Sequence, residues 1–288
     1  MSDRVTILGA GSWGMAIARL LDRNGQSVTL WAYDPREFQR LTMFRGDPEK
    51  LKDMQLPTSI VITNDLVSSL SEYDLLVLAA PAQHVRSVLR NGARSIRQNA
   101  PVVNLAKGIE TGSLRRMTEV IHEETGLSYD LVSSLSGPSH AEEVAVDMPT
   151  TVVVASHSSA LAHRVQERFS GSAFRVYTSD DVIGVEIGGS LKNIIAIASG
   201  IVDGLGFGDN TKGALITRGL AEMTRLGMTL GARQETFAGL SGLGDLVATC
   251  TSRHSRNRWV GEQIGKGLKL HEILLAMTMV AEGVETTR

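Results

Sequence analysis

The chain has 288 residues, with 29 lysines and arginines against 31 aspartates and glutamates for a formal charge of −2; no broad polyanion-attracting field points to nucleic acid or a membrane surface, and any anion site must be local. Apolar residues make up 42% and charged residues 21%, a globular balance in a chain long enough for two domains. Cys250 is the only cysteine, which excludes an intrachain disulfide and a cysteine-rich zinc site and points to a reducing compartment. The seven histidines are scattered without metal spacing, so no structural metal is expected. Met1-Ser2-Asp3-Arg4 runs into a short apolar stretch, Val5 to Leu8, that is too brief for a secretion signal, and a cytoplasmic protein is expected.

Short runs rich in β-branched residues alternate with helical patterns over the first 180 residues: Val5–Leu8, Val28–Trp31, Ser59–Thr63, Leu75–Ala79, Val102–Leu105, Val132–Leu135, Thr151–Ala155 and Phe174–Thr178. This alternation predicts βα units on a mostly parallel, doubly wound sheet. Leu75-Leu76-Val77-Leu78 is apolar at every position, as a strand covered on both faces requires. After the capping cluster Thr178-Ser179-Asp180-Asp181 the β runs stop and apolar residues recur at helical spacing from Val182 to Val202. The spacing therefore predicts an α/β Rossmann-type domain over 1–181 and an all-α domain over 182–288. The second domain should hold a helix over about Thr211–Leu230, a glycine-rich loop over Gly239–Gly244 and a shorter helix near Trp259–Ile264.

The first strand is followed by Gly9-Ala10-Gly11-Ser12-Trp13-Gly14 and then by a helix carrying Met15, Ile17, Ala18, Leu20 and Leu21. In this context the three glycines have separate tasks: Gly9 turns the chain, Gly11 admits a pyrophosphate to the backbone, and Gly14 lets helix and strand pack closely. The motif predicts NAD(H) or NADP(H). Asp34 follows Gly14 by twenty residues, where a carboxylate can hold a ribose 2′-hydroxyl and repel a 2′-phosphate. It also precedes Pro35, so it could instead cap the next helix and leave Tyr33 nearest the ribose; the choice between the two nucleotides stays open.

Further polar groups sit where strands and loops open onto ligands. Lys107 follows the Val102–Leu105 strand, and Gly137-Pro138-Ser139-His140 follows Val132–Leu135, each at a sheet's ligand-binding end or else in a plain turn. Lys192 and Asn193 interrupt an apolar helix; a buried lysine there would have a depressed pKa suited to proton transfer, whereas one that snorkels would not. Asp245 and Thr249 precede Ser252-Arg253-His254-Ser255-Arg256-Asn257-Arg258, either a solvated basic face or a guanidinium grip on one phosphate.

These segments together resemble the bacterial NAD(P)-dependent glycerol-3-phosphate dehydrogenases. The resemblance rests on GAGSWG at 9–14, KGIE at 107–110, SGPSHAEEVA at 136–145, EIGGSLKNIIAIASGIVDGLGFGDN at 186–210, ALITRGLAEMTRLG at 214–227, GLSGLGDLVATCTSRHSRNR at 239–258 and EGVET at 282–286. It implies that Lys192 passes a proton at the substrate's C2 oxygen, with Lys107 and Asp245 as catalytic neighbours and Asn193 and Thr249 completing the polar shell. It places Gly137, Ser139 and Ser255 at the substrate and Arg256 and Asn257 at its phosphate. It also implies Ser12, Trp13, Lys107, Ala141, Arg256, Val280 and Glu282 around the cofactor. The substrate would be a phosphorylated triose, and the enzyme a homodimer without nucleic-acid or membrane partners. Family members commonly carry Arg or His where Tyr33 stands, and they continue some tens of residues past the position of Arg288. Two rival readings share parts of this pattern: a 3-hydroxyacid or 6-phosphogluconate type dehydrogenase, with its own Lys-Asn pair, and a non-catalytic NAD(H) sensor.

Overall fold

The computed structural model describes residues 3–52, 54–277 and 280–287. Eight strands form one sheet: β1 (Arg4–Leu8), β2 (Ser27–Trp31), β3 (Val61–Thr63), β4 (Leu75–Leu78), β5 (Val102–Asn104), β6 (Val132–Ser136), β7 (Thr150–Ser156) and β8 (Phe174–Ser179), in the order β3-β2-β1-β4-β5-β6-β7-β8. The β1 pairings with β2 and β4, and those of β2 with β3, β4 with β5, β5 with β6 and β7 with β8, are all parallel. All eight β runs expected from the sequence are present as strands. Strand order reverses beside β1, which is the switch point where α/β sheets open to ligands.

The uninterrupted apolar run of β4 is explained by the two faces of the sheet. Leu75 and Val77 join the cluster that holds Val5, Ile7, Val28, Leu30 and Met15, while Leu76 and Leu78 join the one that holds Leu8, Trp31, Val85 and Ile121. Alternate side chains point to opposite faces, so a strand buried on both sides must be apolar throughout. β4 is buried at all four positions.

By compactness the chain divides into two units, one made of 1–106, 117–135 and 139–180 and the other of 107–116, 136–138 and 181–288. The second unit gathers the helices Val182–Gly204, Asp209–Thr229, Asp245–Thr251 and Arg256–Gly265, together with the short segments that follow β5 and end β6. Asp181 starts it: the side chain accepts from Gly184 N at 2.9 Å, Arg233 N at 2.9 Å and Thr236 Oγ1 at 2.6 Å, tying the first turn of Val182–Gly204 to the 233–236 segment. Val182–Gly204 has the length and apolarity of a membrane span, yet 67% of its most apolar stretch is buried within the protein; it is the core helix of its unit.

That helix packs backbone to backbone on Arg256–Gly265. A Cβ on Gly261 would overlap the Ile197 carbonyl oxygen, and one on Gly200 would overlap the Arg258 carbonyl oxygen. Such contact needs glycine on both sides, and the helices cannot separate without losing their packing. The expected glycine-rich loop at Gly239–Gly244 is wound instead into a single π turn, Leu240–Gly244, closed by Gly244 N donating to Gly239 O at 3.1 Å, and it runs directly into Asp245–Thr251. Gly261→Ala should destabilise the protein by about 1–3 kcal/mol in denaturant titration, because overpacking against rigid backbone outweighs the better helix propensity of alanine.

Candidate active site

The glycine turn lies between β1 and the helix Ser12–Arg23. Gly9 has φ +120°, and a Cβ there would stand 2.7 Å from the Ala79 carbonyl carbon, while a Cβ on Gly14 would overlap the Gly9 carbonyl oxygen. Both positions therefore exclude any side chain. At Gly11 nothing lies within 4 Å of the same probe position, so the turn is open in front of the helix start. That helix receives no side-chain cap, and an uncapped helix N-terminus behind an open glycine turn is a fitting cradle for a pyrophosphate. Ser12 Oγ donates to Lys50 O at 3.4 Å, and the buried Trp13 Nε1 has no hydrogen-bond partner among the described residues. The turn fits a dinucleotide.

Tyr33 and Asp34 follow the end of β2. Tyr33 is 76% exposed with its ring edge-on to Trp31, and Asp34 caps the helix Pro35–Phe44 by accepting from Arg36 N at 2.8 Å. The strand ends three residues before Asp34, which explains how the carboxylate reaches the cap. Ala141 is the first residue of the helix Ala141–Ala145 and is buried, and Ser139 lies half-buried just before it.

In the second unit five of the expected residues form one continuous network. Lys192, on the third turn of Val182–Gly204, donates to Asp245 Oδ1 at 2.5 Å and Thr249 Oγ1 at 2.8 Å. Lys107 donates to Asp245 Oδ2 at 2.9 Å and to the Gly137 carbonyl at 2.8 Å. One carboxylate thus holds two ammonium groups. Asp245 and Thr249 lie one helical turn apart, so both can address Lys192, and Thr249 Oγ1 also donates to Asp245 O at 2.6 Å.

Lys192 is 6% exposed and Asp245 2%. Burial lowers the Lys192 pKa to about 8, with Asp245 opposing and Lys107 reinforcing the shift. Burial alone would raise the Asp245 pKa, but the two lysines hold it below the ordinary carboxylate range. The site therefore contains a fixed anion and an ammonium poised to release its proton near neutrality.

Beside this network Asn193 and Asn257 form a second one. Asn257 Nδ2 donates to Asn193 Oδ1 at 2.9 Å, and Asn257 Oδ1 accepts from Gly283 N at 3.0 Å. Asn257 is 8% exposed and its amide is engaged at both ends. Ser255 caps Arg256–Gly265 by accepting from Arg258 N at 3.2 Å, and Arg256, the first residue of that helix, is exposed and joins neither network. Val280 is 45% exposed, and Glu282 opens the helix Glu282–Thr286.

Some polar groups of this unit gave no signal in the sequence. Arg116 pairs with Glu186 at 2.8 Å, Glu186 lying on the same helix as Lys192 and being 6% exposed. The Ser136 hydroxyl is buried without a hydrogen-bond partner among the described residues, against the position a Cβ of Gly189 would take.

Comparison with known proteins agrees with this architecture. Sequence models of the NAD-dependent glycerol-3-phosphate dehydrogenase N-terminus and C-terminus match residues 4–162 and 181–288. A glycerol-3-phosphate dehydrogenase [NAD(P)+] of Pelotomaculum thermopropionicum is 52% identical over 100% of this chain and 83% of its own length, and one of Fusobacterium nucleatum is 47% identical over 99% and 85%. A crystal structure of glycerol-3-phosphate dehydrogenase from Coxiella burnetii superposes with a TM-score of 0.95 at 41% identity, covering 99% of this chain and 87% of that one.

Replacing Asp245 by Asn would leave two lysines facing a neutral amide, a loss of about 3–5 kcal/mol for a broken buried ion pair. The Lys192 pKa, already below its ordinary 10.5, would fall further. A folded-state pKa below the unfolded value means that the folded protein releases its proton first, so the charge-dependent part of the deficit is present at low pH and fades as pH rises through about 8. Chemical denaturation of Asp245→Asn should accordingly show a larger deficit at about pH 6.5 than at about pH 9; an equal deficit at both would contradict this account.

With the glycine turn, the lysine–carboxylate network and both family matches in place, the chain belongs to the NAD-dependent glycerol-3-phosphate dehydrogenase family and is an NAD(P)-dependent oxidoreductase.

Proposed function

We propose that this protein reversibly reduces dihydroxyacetone phosphate at C2 to sn-glycerol 3-phosphate, supplying the backbone for glycerophospholipid synthesis as a cytoplasmic homodimer without nucleic-acid or membrane partners. The observation that carries this reading is Lys192, buried and held by Asp245 and Thr249 in a chain of this family. In the same reading the 1–181 region is the dinucleotide-binding domain and 182–288 the catalytic one.

A nicotinamide cofactor held along the Gly9–Gly14 turn would supply the hydride for C2. Lys192, protonated, donates to the C2 oxygen as negative charge grows there, and in the reverse direction it takes the proton back. Asp245 keeps Lys192 oriented and charged, and Lys107, bound to the same carboxylate, adds a second cation beside the developing alkoxide. Gly137 and Ser139 border the substrate, and Asn193 and Thr249 complete the polar shell around the C2 oxygen.

Ser255, Arg256 and Asn257 hold the phosphate. The exposed Arg256 guanidinium is available for a bidentate grip, while Asn257, fixed by Asn193 and Gly283, sets the position of the helix start. Ser12, Trp13, Tyr33, Asp34, Lys107, Ala141, Arg256, Val280 and Glu282 serve the cofactor together with the glycine turn.

Loss of reduced-nicotinamide absorbance with dihydroxyacetone phosphate should be rapid in the wild type, and Lys192→Ala should lower kcat by about 10²–10⁴-fold. Arg256→Ala should mainly raise KM, since the phosphate is held in ground and transition states alike. Turnover of a 3-hydroxyacid but not of dihydroxyacetone phosphate would overturn the substrate assignment.

The reduction needs Lys192 protonated, so its kcat should fall as pH rises through about 8, and the oxidation should gain over the same range. A profile flat between about pH 6.5 and pH 9.5, with chemistry limiting, would remove Lys192 from the proton step.

A further inference from the structure

The segment that carries Lys107 is a small hairpin. Ile109 pairs antiparallel with Arg116, Glu110 N donates to Arg115 O at 2.9 Å, and Leu114 N donates to Glu110 O at 3.0 Å. Gly112, with φ +90°, turns the chain at its tip. Arg116 stands opposite Ile109, so it is fixed close to Lys107 although the two are well separated in sequence.

Against the hairpin runs the helix Val182–Gly204. On it Glu186, Gly189 and Lys192 are spaced by three, which lines them up along one side over successive turns. The hairpin meets this row twice. The Arg116 guanidinium donates to Glu186 Oε2 at 2.8 Å, with the side chains 17% and 3% exposed. The Lys107 stem lies on Gly189, where a Cβ would stand 3.7 Å from Lys107 Cγ. Lys107 and Lys192 then reach the two oxygens of Asp245, at 2.9 and 2.5 Å.

Apolar contact and the ion pair hold the hairpin in different ways. Ile109 packs against the cluster of Ile187 and Leu246, which keeps the hairpin on the helix, but apolar contact has no direction and lets it slide. A charge-assisted hydrogen bond is directional. Because Glu186 is so little exposed, releasing Arg116 would strand a carboxylate, so the pair resists opening. A hairpin held at Glu186 keeps Lys107 at one place along the helix.

The groups that face Lys192 are Asp245 and Thr249 on the helix after the π turn and Lys107 on the hairpin, and the Cys250 thiol lies near enough to feel its charge. Burial is the largest cause of the lowered Lys192 pKa; Asp245 opposes it and Lys107 adds to it. Of these groups only Lys107 is carried by the hairpin.

We infer that Arg116 and Glu186 are positioning residues, whose ion pair locks the 107–116 hairpin on the helix of Lys192 and so sets where the Lys107 ammonium stands in the network; the inference rests on the role proposed above for Lys192.

The test compares the full chain as wild type, Arg116→Gln, Glu186→Gln, Lys107→Ala and the Arg116→Gln/Lys107→Ala double variant. Thermal melts and denaturant titrations accompany kcat for the reduction of dihydroxyacetone phosphate across pH. Arg116→Gln should lower kcat by about tenfold or more, as a small misplacement of a catalytic group does. A pair that acts through Lys107 has nothing further to lose once Lys107 is gone, so the double variant should match Lys107→Ala within about twofold. With Lys107 free to retreat, Lys192 keeps its proton to higher pH. The fall of kcat through about pH 8 should therefore move up by about half a pH unit in both Arg116→Gln and Glu186→Gln. A direct effect of the lost charges would instead move it in opposite directions in the two variants, since one loses a cation and the other an anion. Multiplied losses in the double variant, shifts of opposite sign, or an unmoved limb beside a lowered melting temperature would each overturn the inference.

The denaturant titrations need no turnover. A lysine whose folded pKa lies below its unfolded one binds fewer protons when folded, so the wild type gains stability from Lys192 as pH rises from about 8 towards 10.5. Arg116→Gln should gain less over that range, and an equal gain would count against the inference. A smaller gain in the variant, beside a wild type that does not reduce dihydroxyacetone phosphate, would sink the substrate reading and leave the positioning role standing.

Discussion

The candidate site depends on one carboxylate shared between two lysines. Asp245 is buried, and its two oxygens face Lys192 and Lys107 separately. A single buried ammonium with its own carboxylate would be a neutral pair with a proton held tightly. Burial first of all, and then the excess positive charge of two ammonium groups on one carboxylate, make the more deeply buried lysine the one that yields its proton easily. Every other feature of the network serves to keep that arrangement intact, from the Thr249 hydroxyl on Lys192 to the Gly137 carbonyl on Lys107.

Such a site cannot come from one stretch of sequence. Lys107 arrives after β5, Gly137 after β6, Lys192 on the core helix and Asp245 at the end of a π turn. Wide turns of this kind occur at functional sites because they re-aim a residue without ending the helix, and here the turn delivers Asp245 as the first residue of Asp245–Thr251. The part-buried Arg116–Glu186 pair ties the segment after β5 to the helix that carries Lys192, so two of the three charged groups share a support.

Much of this was legible in the sequence, for physical reasons. β4 read as a doubly covered strand because four successive apolar residues admit no exposed face, and the glycine turn read correctly because two of its positions tolerate no Cβ. Lys192 stood out because a charged residue inside an apolar helical stretch must be either paired or solvent-directed. What the sequence could not give was partnership across distance. Nothing in the local pattern says that Asn257 bridges Asn193 and Gly283, that Ser136 buries its hydroxyl, or that the glycines at 239–244 wind into a π turn. For Asp34 the local pattern allowed both a ribose contact and a helix cap; the hydrogen bond from Arg36 N establishes the cap.

The glycine contact between Val182–Gly204 and Arg256–Gly265 has a geometric consequence. Side chains between helices act as compliant spacers, since each can change rotamer, whereas peptide backbone in direct contact cannot. Lys192 rides on one of these helices and Arg256 begins the other. The backbone positions from which the two side chains project are therefore held like the jaws of a fixed caliper. A stiff helix pair of this kind sets the span between two points of its surface in a way that a pair packed through side chains does not.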